Sequence, residues 1–259
     1  MNPTVLVIGG SDSSGGAGIS RDLQALHDMN VRGVAVVTAV TAQTNTSVRS
    51  INLVPQGTIR DQIETALASN RIDAIKIGML GTRRAVEAVA LSLPLHGAVP
   101  VVLDPVLAAS SGRALADDDA RVALVELLFP RATLITPNAI EAAVLLGEHV
   151  ATDAATLESY ALRLIEDGPR SVLLKGGHAE GEDSVDILVT ADRAVSKLSG
   201  PRMHGTLRGT GCALASAIAA GLACELPLID ACREGKRYIT GLFRVALETE
   251  RSPLPAGAV

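Results

Sequence analysis

The feature that most constrains the fold of this chain is the alternation of short apolar runs with longer segments of helical periodicity. The runs at 4–8 and 34–41 are apolar at nearly every position, which is typical of strands buried on both faces. Between them, Ile19, Leu23 and Leu26 recur three or four positions apart, as on one face of a helix. Strands that alternate with helices pair in parallel through right-handed crossovers. The sequence therefore predicts an α/β fold, a three-layer α/β/α sandwich with a mostly parallel central sheet.

The same periodicity locates the individual elements. Strands are predicted over residues 4–8, 34–41, 74–77, 99–103, 134–136 and 171–175, followed by a hairpin of 185–189 with 194–198. Helices are predicted over residues 18–29, 58–69, 82–93, 117–128, 139–146, 154–166, 211–224 and 228–249. Neither an internal repeat nor a shift in composition divides the chain, so residues 1–259 are predicted to form a single domain.

Composition excludes several classes of function. The formal net charge is −5 and aromatic residues make up 2% of the chain, so the chain lacks both a basic surface and stacking platforms for nucleic acid. The longest apolar stretch, 213–224, is well short of the roughly 20 residues that span a bilayer. The odd count and wide spacing of Cys212, Cys224 and Cys232 do not suit a disulfide framework. We expect a cytoplasmic protein without nucleic-acid or membrane partners.

Polar and glycine residues follow every predicted strand of the main sheet. They occur in the segments 9–18, 42–43, 78–80, 104–106, 136–138 and 175–178. Because ligands of parallel α/β sheets bind at the carboxyl ends of the strands, these segments are expected to meet at one ligand-binding edge. Glycine, proline and aspartate are common in any such connection, so one loop alone means little. Six loops together favour a site.

The segment Gly209-Thr210-Gly211-Cys212 opens a predicted helix of small residues. Amides at a helix N-terminus, with the partial positive charge there, suit a transferring phosphoryl group. Arg208 adds a full charge beside them. A thiol in the first turn is expected to have a lowered pKa, so the pKa of Cys212 is predicted to fall toward neutrality. The alternative is a plain helix start whose small cysteine packs against the sheet.

Seven motifs occur in an order that points to one family. They are Gly-Ser-Asp-Ser-Ser-Gly-Gly-Ala-Gly-Ile (10–19), Ala-Gln (42–43), Lys-Ile-Gly-Met-Leu (76–80), Leu-Asp-Pro-Val (103–106), Leu-Ile-Thr-Pro-Asn-x-x-Glu-Ala (134–142), Lys-Gly-Gly-His (175–178) and Gly-Thr-Gly-Cys (209–212). With these motifs the chain resembles the hydroxymethylpyrimidine and hydroxymethylpyrimidine-phosphate kinases of thiamin biosynthesis, in the ribokinase superfamily. The resemblance covers roughly residues 4 to 245.

The resemblance implies a role for residues on both sides of a phosphoryl-transfer site. The pyrimidine substrate is expected to contact Gly10, Asp22, Gln43, Met79 and Val106. Mg²⁺ is expected at Asp104 and Glu141, and ATP is expected at Asn138, Lys175 and Arg208. The anion hole of the family matches Gly209, Thr210 and Gly211. Where most ribokinase-like enzymes carry an aspartate base, this chain has Cys212.

The chain departs from the family pattern directly before the anion hole. Many relatives read Asn-Thr-His there, whereas this chain has Thr206-Leu207-Arg208. The change is expected to affect ATP contacts and substrate choice, and not the fold. The two other cysteines, Cys224 and Cys232, lie further along apolar helices and are predicted to be inert core residues.

Three functions stay open. The leading one is an ATP-dependent kinase that acts on hydroxymethylpyrimidine and then on its monophosphate. Pyridoxal is a related hydroxymethyl heterocycle, so pyridoxal kinase is an alternative; Gln43, as an acceptor for the pyrimidine amino group, favours the first substrate. A catalytically silent ligand-binding protein on the same fold is the third, against which Asp104, Glu141 and Cys212 argue together. The resemblance also implies a homodimer.

Overall fold

The computed structural model contains a nine-stranded sheet, and it describes residues 2–94, 97, 99–109, 111–176, 183–203, 205 and 207–251. The strands are β1 (Thr4–Asp12), β2 (Arg32–Gln43), β3 (Val48–Leu53), β4 (Ala74–Ile77), β5 (Val101–Leu103), β6 (Leu134–Ile135), β7 (Ser171–Leu174), β8 (Asp183–Thr190) and β9 (Val195–Pro201). Their order is β3-β2-β1-β4-β5-β6-β7-β8-β9. The central run β2-β1-β4-β5-β6-β7 is parallel. At the edges, β3 pairs antiparallel with β2, and β8 pairs antiparallel with β7 and β9.

Helices cover both faces of the sheet. They are α1 (Gly18–Asp28), α2 (Gln56–Ser69), α3 (Arg83–Ser92), α4 (Asp118–Ala123), α5 (Ala139–Leu146), α6 (Ala154–Leu164), α7 (Thr210–Ala223) and α8 (Leu228–Arg251). Along β1, Leu6 and Ile8 lie in the core formed with α2 to α6, whereas Val5 and Val7 lie in the core formed with α1, α7 and α8. This alternation makes the three layers that the sequence predicted. Of the helices in the described ranges, none has the length and apolarity needed to cross a bilayer.

The bounds of several strands differ from the predicted ones, and the clearest differences concern β3 and β1. Strand β3 was not predicted, because its residues are partly or fully exposed and therefore carry no apolar pattern. It forms an antiparallel hairpin with β2. Strand β1 continues past residue 8 through Gly9 and Gly10 to Asp12. Glycines that looked like a stop signal are therefore part of the strand, and its last residues reach the carboxyl edge of the sheet.

The predicted helix over 117–128 starts as expected but changes its winding. The side chain of Asp117 caps α4 by accepting the backbone N–H of Ala120. After α4 the chain continues as a π-helical turn over Leu124–Leu128 and a 3₁₀ turn over Phe129–Arg131. The proline in this last turn lacks the N–H that a continuing α-helix needs.

The strand order creates a switch point between β1 and β4. The chain leaves β1 toward β2 on one side and later returns to β4 on the other side of β1. Diverging connections at such a point leave a crevice outside the carboxyl ends of the strands, where ligands bind. Here the end of β1 approaches the loop after β4, since a Cβ on Gly10 would lie 2.9 Å from Met79 Sδ. A residue larger than glycine would have to displace the side chain of Met79.

Candidate active site

Two charged side chains and the start of α7 meet where β5, β6 and β7 end. Lys175, after β7, donates from Nζ to Oδ1 of Asp104, after β5, at 3.0 Å. Thr136, after β6, donates its hydroxyl to the same oxygen at 3.0 Å. A Cβ on Gly211, in the first turn of α7, would lie 3.3 Å from Lys175 Nζ and 3.4 Å from Asp104 Oδ2. A carboxylate, an ammonium group and a helix N-terminus thus face one another.

Asn138 and Glu141 form a capping box at the start of α5. Asn138 Oδ1 accepts the N–H of Glu141, and Glu141 Oε2 accepts the N–H of Asn138, both at 2.8 Å. The same Oε2 lies 3.9 Å from Lys175 Nζ. Burial raises the pKa of Glu141 to about 7, against the opposing charge of Lys175 and with a further increase from Asp104. A cation beside these carboxylates would favour the charged form of Glu141.

Asp104 and Glu141 fit a magnesium ion that is also bound by phosphate oxygens. Mg²⁺ is usually held by one or two carboxylates, with waters and substrate phosphates completing its shell. Within the described parts of the chain, no group of three or more His, Cys, Asp or Glu side chains could hold a metal. The two carboxylates beside Lys175 therefore suit a metal that arrives with a nucleotide, and not a site built by the protein alone.

The start of α7 depends on Gly209. This N-cap residue has a φ of 69°, a left-handed conformation that favours glycine. A Cβ there would lie 2.3 Å from the backbone oxygen of Gly16. A glycine N-cap has no side chain to accept the first helical N–H groups, so those of Thr210 and Gly211 are available to an anion. This backbone geometry is compatible with the predicted anion hole, which stays a prediction.

Cys212 lies in the first turn of α7, but the predicted fall of its pKa is wrong. Although the residue keeps some exposed surface, burial raises the pKa of the thiol to about 11. The charge of Lys76 and the backbone N–H of Gly18 act in the opposite direction, while the carboxylates of Asp22 and Asp104 raise the pKa further. The helix start was visible in the sequence, but the carboxylates packed around it were not.

We expect iodoacetamide to modify Cys224 at least about tenfold faster than Cys212 at pH 7.5, because only the thiolate reacts and access is required. Cys232 is buried, as predicted, but Cys224 is exposed at the end of α7, so its predicted place in the core is wrong. Timed quenching and mass spectrometry give the three rates, and Cys224→Ser should remove the fast phase. Preferential labelling of Cys212 would contradict its raised pKa.

The residues predicted to bind substrate lie mainly around the switch point. Gly10 lies two residues before the end of β1, Met79 follows β4, Val106 follows β5, and Gln43 ends β2. Gln43 Oε1 accepts a hydrogen bond from Arg208 Nη2 at 3.2 Å. The oxygen that the sequence analysis assigned to the pyrimidine amino group therefore already has one donor.

Asp22 is the exception, since it lies beneath the crevice. Its side chain is 0% exposed, and its two oxygens accept from Lys76 Nζ at 2.8 and 2.9 Å. Ser216 donates to Asp22 Oδ1 at 2.8 Å. An enclosed carboxylate offers no surface to a ligand, which argues against the direct substrate contact that the resemblance implied. Sequence reasoning gave no role to Lys76, although a lysine inside the apolar strand β4 was a signal for a buried ion pair.

Arg208 lies on the substrate side of the edge. Its guanidinium contacts residues at the ends of β1 and β2, across the switch point from Lys175. This placement argues against the predicted contact with ATP. Gly177 and His178 of the Lys-Gly-Gly-His motif, and Thr206 before Arg208, lie outside the described residues.

A parallel sheet whose carboxyl edge joins acidic side chains, a lysine and an open helix N-terminus suits an enzyme of the kinase class, which transfers a phosphoryl group. The sequence profile of the phosphomethylpyrimidine kinase family matches residues 12–256. The chain belongs to this family, which confirms the predicted resemblance and the kinase class.

Individual relatives agree with the family and the fold. A hydroxymethylpyrimidine/phosphomethylpyrimidine kinase of Rhizobium meliloti (strain 1021) is 39% identical over 95% of this chain and 92% of that protein. A thiamine biosynthesis bifunctional protein of Geobacter sulfurreducens is 40% identical over 99% of this chain and 52% of that protein. Among solved structures, the ADP complex of Bacillus subtilis pyridoxal kinase has a TM-score of 0.84 at 31% identity, covering 93% of this chain and 91% of that one.

Proposed function

We propose that this chain phosphorylates 4-amino-5-hydroxymethyl-2-methylpyrimidine and then its monophosphate, with ATP as donor and Mg²⁺ as cofactor, in thiamine biosynthesis. The observation that carries the proposal is the meeting of Asp104, Lys175 and Gly211 at the carboxyl edge of the sheet. Phosphoryl transfer needs positioned charges and amide donors more than covalent help from the protein. The family description and the name of the Rhizobium meliloti relative support the pyrimidine substrates, and the name of the Geobacter sulfurreducens relative supports thiamine biosynthesis.

The groups on the phosphate side divide the work of stabilising charge. Lys175 compensates the negative charge of the ATP phosphates, and Asn138 contacts the nucleotide beside it. The open amides of Thr210 and Gly211 donate to the oxygens of the transferring group, where charge develops. Asp104 and Glu141 would hold Mg²⁺, which neutralises phosphate charge when bound.

On the acceptor side, Gly10, Gln43, Met79 and Val106 enclose the pyrimidine ring. The missing side chain of Gly10 leaves room for the thioether of Met79, which adapts to the face of a ring. Cys212 is the proposed base. It directly follows Gly211, which lies against Lys175 and Asp104 on the phosphate side of the site. Because the raised pKa of Cys212 leaves little thiolate at neutral pH, its contribution belongs at the lower end of the about 10² to 10⁴ typical of general bases.

Steady-state assays of ADP formation with each pyrimidine, ATP and Mg²⁺ test the function directly. We expect turnover of the alcohol and of its monophosphate, with the phosphorylated products identified by mass spectrometry. Folded protein that turns over neither substrate would refute the proposal. Pyrimidine binding in calorimetry without ADP formation would identify a ligand-binding protein instead.

Pyridoxal kinase is the second candidate, and the close superposition on the Bacillus subtilis enzyme favours it. A site that hydrogen-bonds its substrate discriminates strongly against a ring with mismatched donors and acceptors. The ratio of kcat/KM for hydroxymethylpyrimidine and pyridoxal therefore separates the two candidates. A ratio in favour of pyridoxal would make the pyrimidine the side substrate.

A homodimer is the proposed assembly. Strand β3 lies at the edge of the sheet, and Leu53 of β3 and Val40 of β2 are 49% and 51% exposed. In many proteins, exposed apolar side chains on an edge hairpin are covered by another protein chain. We therefore propose that a second copy of this chain packs against the β2–β3 hairpin. Light scattering coupled to size exclusion is expected to give about twice the chain mass of 26.7 kDa. A particle of single-chain mass across micromolar concentrations would contradict it.

The proposed location is the cytoplasm. Cys212, Cys224 and Cys232 are all free thiols, which is the usual state in a reducing compartment. Fractionation of the native cell with detection of this chain tests the location, and recovery in an oxidising compartment would contradict it.

A further inference from the structure

The guanidinium group of Arg208 joins two loops on the acceptor side of the site. Its Nη1 donates to Ser14 Oγ at 3.0 Å, to the Thr44 backbone oxygen at 2.7 Å and to Asn45 Oδ1 at 3.3 Å. Its Nη2 donates to Gln43 Oε1 at 3.2 Å. Ser14 lies in the loop after β1, and the other three partners lie at and after the end of β2. One side chain thus ties together the loops that flank the switch point.

Asp12 adds a charge to this arrangement. Its Oδ1 accepts from the backbone N–H and from the hydroxyl of Ser14, each at 2.8 Å. Its Oδ2 is buried without a hydrogen-bond partner among the described residues and lies 3.5 Å from Arg208 Nη2. A buried carboxylate oxygen is costly unless a nearby charge compensates it. The cation of Arg208 therefore stabilises the end of β1.

The same loop also touches the anion hole. Gly16 lies against Arg208, since a Cβ on Gly16 would be 3.4 Å from Arg208 Nη1. Gly209, which directly follows Arg208, lies against the backbone oxygen of Gly16. Two successive residues before α7 therefore contact the loop after β1. The loop after β1 therefore packs against the residues at which α7 begins.

This geometry requires an arginine. The guanidinium group is planar and carries five donors in a fixed fork, whereas a lysine offers three donors on one compact charge. The partners of Arg208 lie on two separate loops, so a point charge could serve one loop and not both. Hydrogen bonds from a charged donor are also among the stronger ones in proteins.

We propose that Arg208 is a positioning residue that holds the two acceptor-side loops together and fixes the Gln43 amide before substrate binds. The identity of the ligand as a pyrimidine rests on the proposed function. Loss of Arg208 would leave both loops and Gln43 to be ordered by the substrate itself, and that ordering lowers affinity. The effect belongs to substrate binding and not to nucleotide binding, because the contacts lie across the switch point from Lys175.

Steady-state kinetics of Arg208→Met and Arg208→Lys test this role. Arg208→Met is expected to raise KM for hydroxymethylpyrimidine about tenfold, as for the loss of a charged hydrogen bond, while kcat and KM for ATP change less than about twofold. Arg208→Lys, which keeps the charge and loses the fork, is expected to fall between wild type and Arg208→Met. Arg60→Met is the matched control, because Arg60 forms an exposed pair with Glu64 at 3.8 Å, away from both loops.

Hydrogen exchange gives a readout that needs no catalysis. Without any ligand, amides of 12–16 and 43–47 are expected to exchange about tenfold faster in the Arg208 variants than in wild type, with other segments unchanged. Unchanged exchange in these segments would overturn the proposal, as would a rise in KM for ATP alone. If Arg208→Met does not fold, Arg208→Lys carries both measurements. If the wild-type protein has no kinase activity but the Arg208 variants still show this faster exchange, the proposed function is refuted and the positioning role of Arg208 is supported.

Discussion

Replacing Asp104 by asparagine is expected to lower kcat about a hundredfold, a loss typical of removing one charge-stabilising group from an active site. The carboxylate receives the ammonium group of Lys175 and the hydroxyl of Thr136 on one oxygen. Asparagine keeps the size and one acceptor for Thr136, but it removes the charge that positions Lys175 and that would bind Mg²⁺. Among the residues that the structure describes, Glu141 at 3.9 Å would then be the remaining acidic partner of Lys175.

Catalytic and structural effects of Asp104→Asn are separated by melting and by a control. Because the substitution preserves shape, we expect the melting temperature to change by less than about 3 °C. Asp118→Asn, in the first turn of α4 with a side chain 94% exposed, should leave kcat unchanged. An Asp104→Asn enzyme with wild-type kcat at saturating Mg²⁺ would show that this aspartate only orders the loop.

Sequence alone predicted the layers of this fold because the strand signal is local. Consecutive residues of β1 pack into two different cores. Each position of the run must therefore be apolar, and this pattern is visible in the sequence. The meeting of the loops that follow β5, β6 and β7 could be predicted as well, since carboxyl ends of parallel strands share an edge. Strand β3 escaped prediction because a partly exposed edge strand needs no apolar pattern.

The electrostatics of the site could not be predicted in the same way. Asp22 and Lys76 are 54 positions apart, and Gln43 and Arg208 are 165 positions apart. Such pairs arise only when the complete fold brings distant parts of the chain together. The raised pKa of Cys212 is a result of this kind, since helix position suggested a lower pKa and the buried surroundings reverse it.

The capping box formed by Asn138 and Glu141 combines a structural role with a proposed role in metal binding. Asn138 and Glu141 have the spacing of a helix N-terminus signature, and the structure uses both side chains for that purpose. Glu141 also lies beside Lys175, so capping holds the carboxylate where a cation would need it. A structural role and a proposed ligand role are here served by the same oxygen.

Replacing Lys76 by methionine is expected to lower the free energy of unfolding by about 3–5 kcal/mol, as for the loss of one partner of a buried ion pair. The Lys76 side chain is 1% exposed. Burial alone would lower its pKa, but the carboxylate of Asp22 more than offsets this and raises it. Without Lys76, Asp22 would keep only the hydroxyl of Ser216. Urea unfolding at several pH values measures the loss.

The loss is expected to depend on pH with a definite sign. Burial already raises the pKa of Asp22, against the effect of Lys76, and removing Lys76 raises it further above the pKa in the unfolded chain. Such a group contributes stability at low pH that is lost as the pH rises through its folded-state pKa. Lys76→Met should therefore be more destabilised, relative to wild type, at pH 8 than at pH 5.

A double variant separates the ion pair from simple packing. Lys76→Met combined with Asp22→Leu should recover most of the lost stability, because replacing both members of a buried pair by apolar residues is often neutral. Lys197→Met removes an exposed lysine paired with Glu158 and should change stability by less than about 1 kcal/mol. If Lys76→Met also lowers the free energy of unfolding by less than about 1 kcal/mol at every pH, Asp22 is neutral in the native protein.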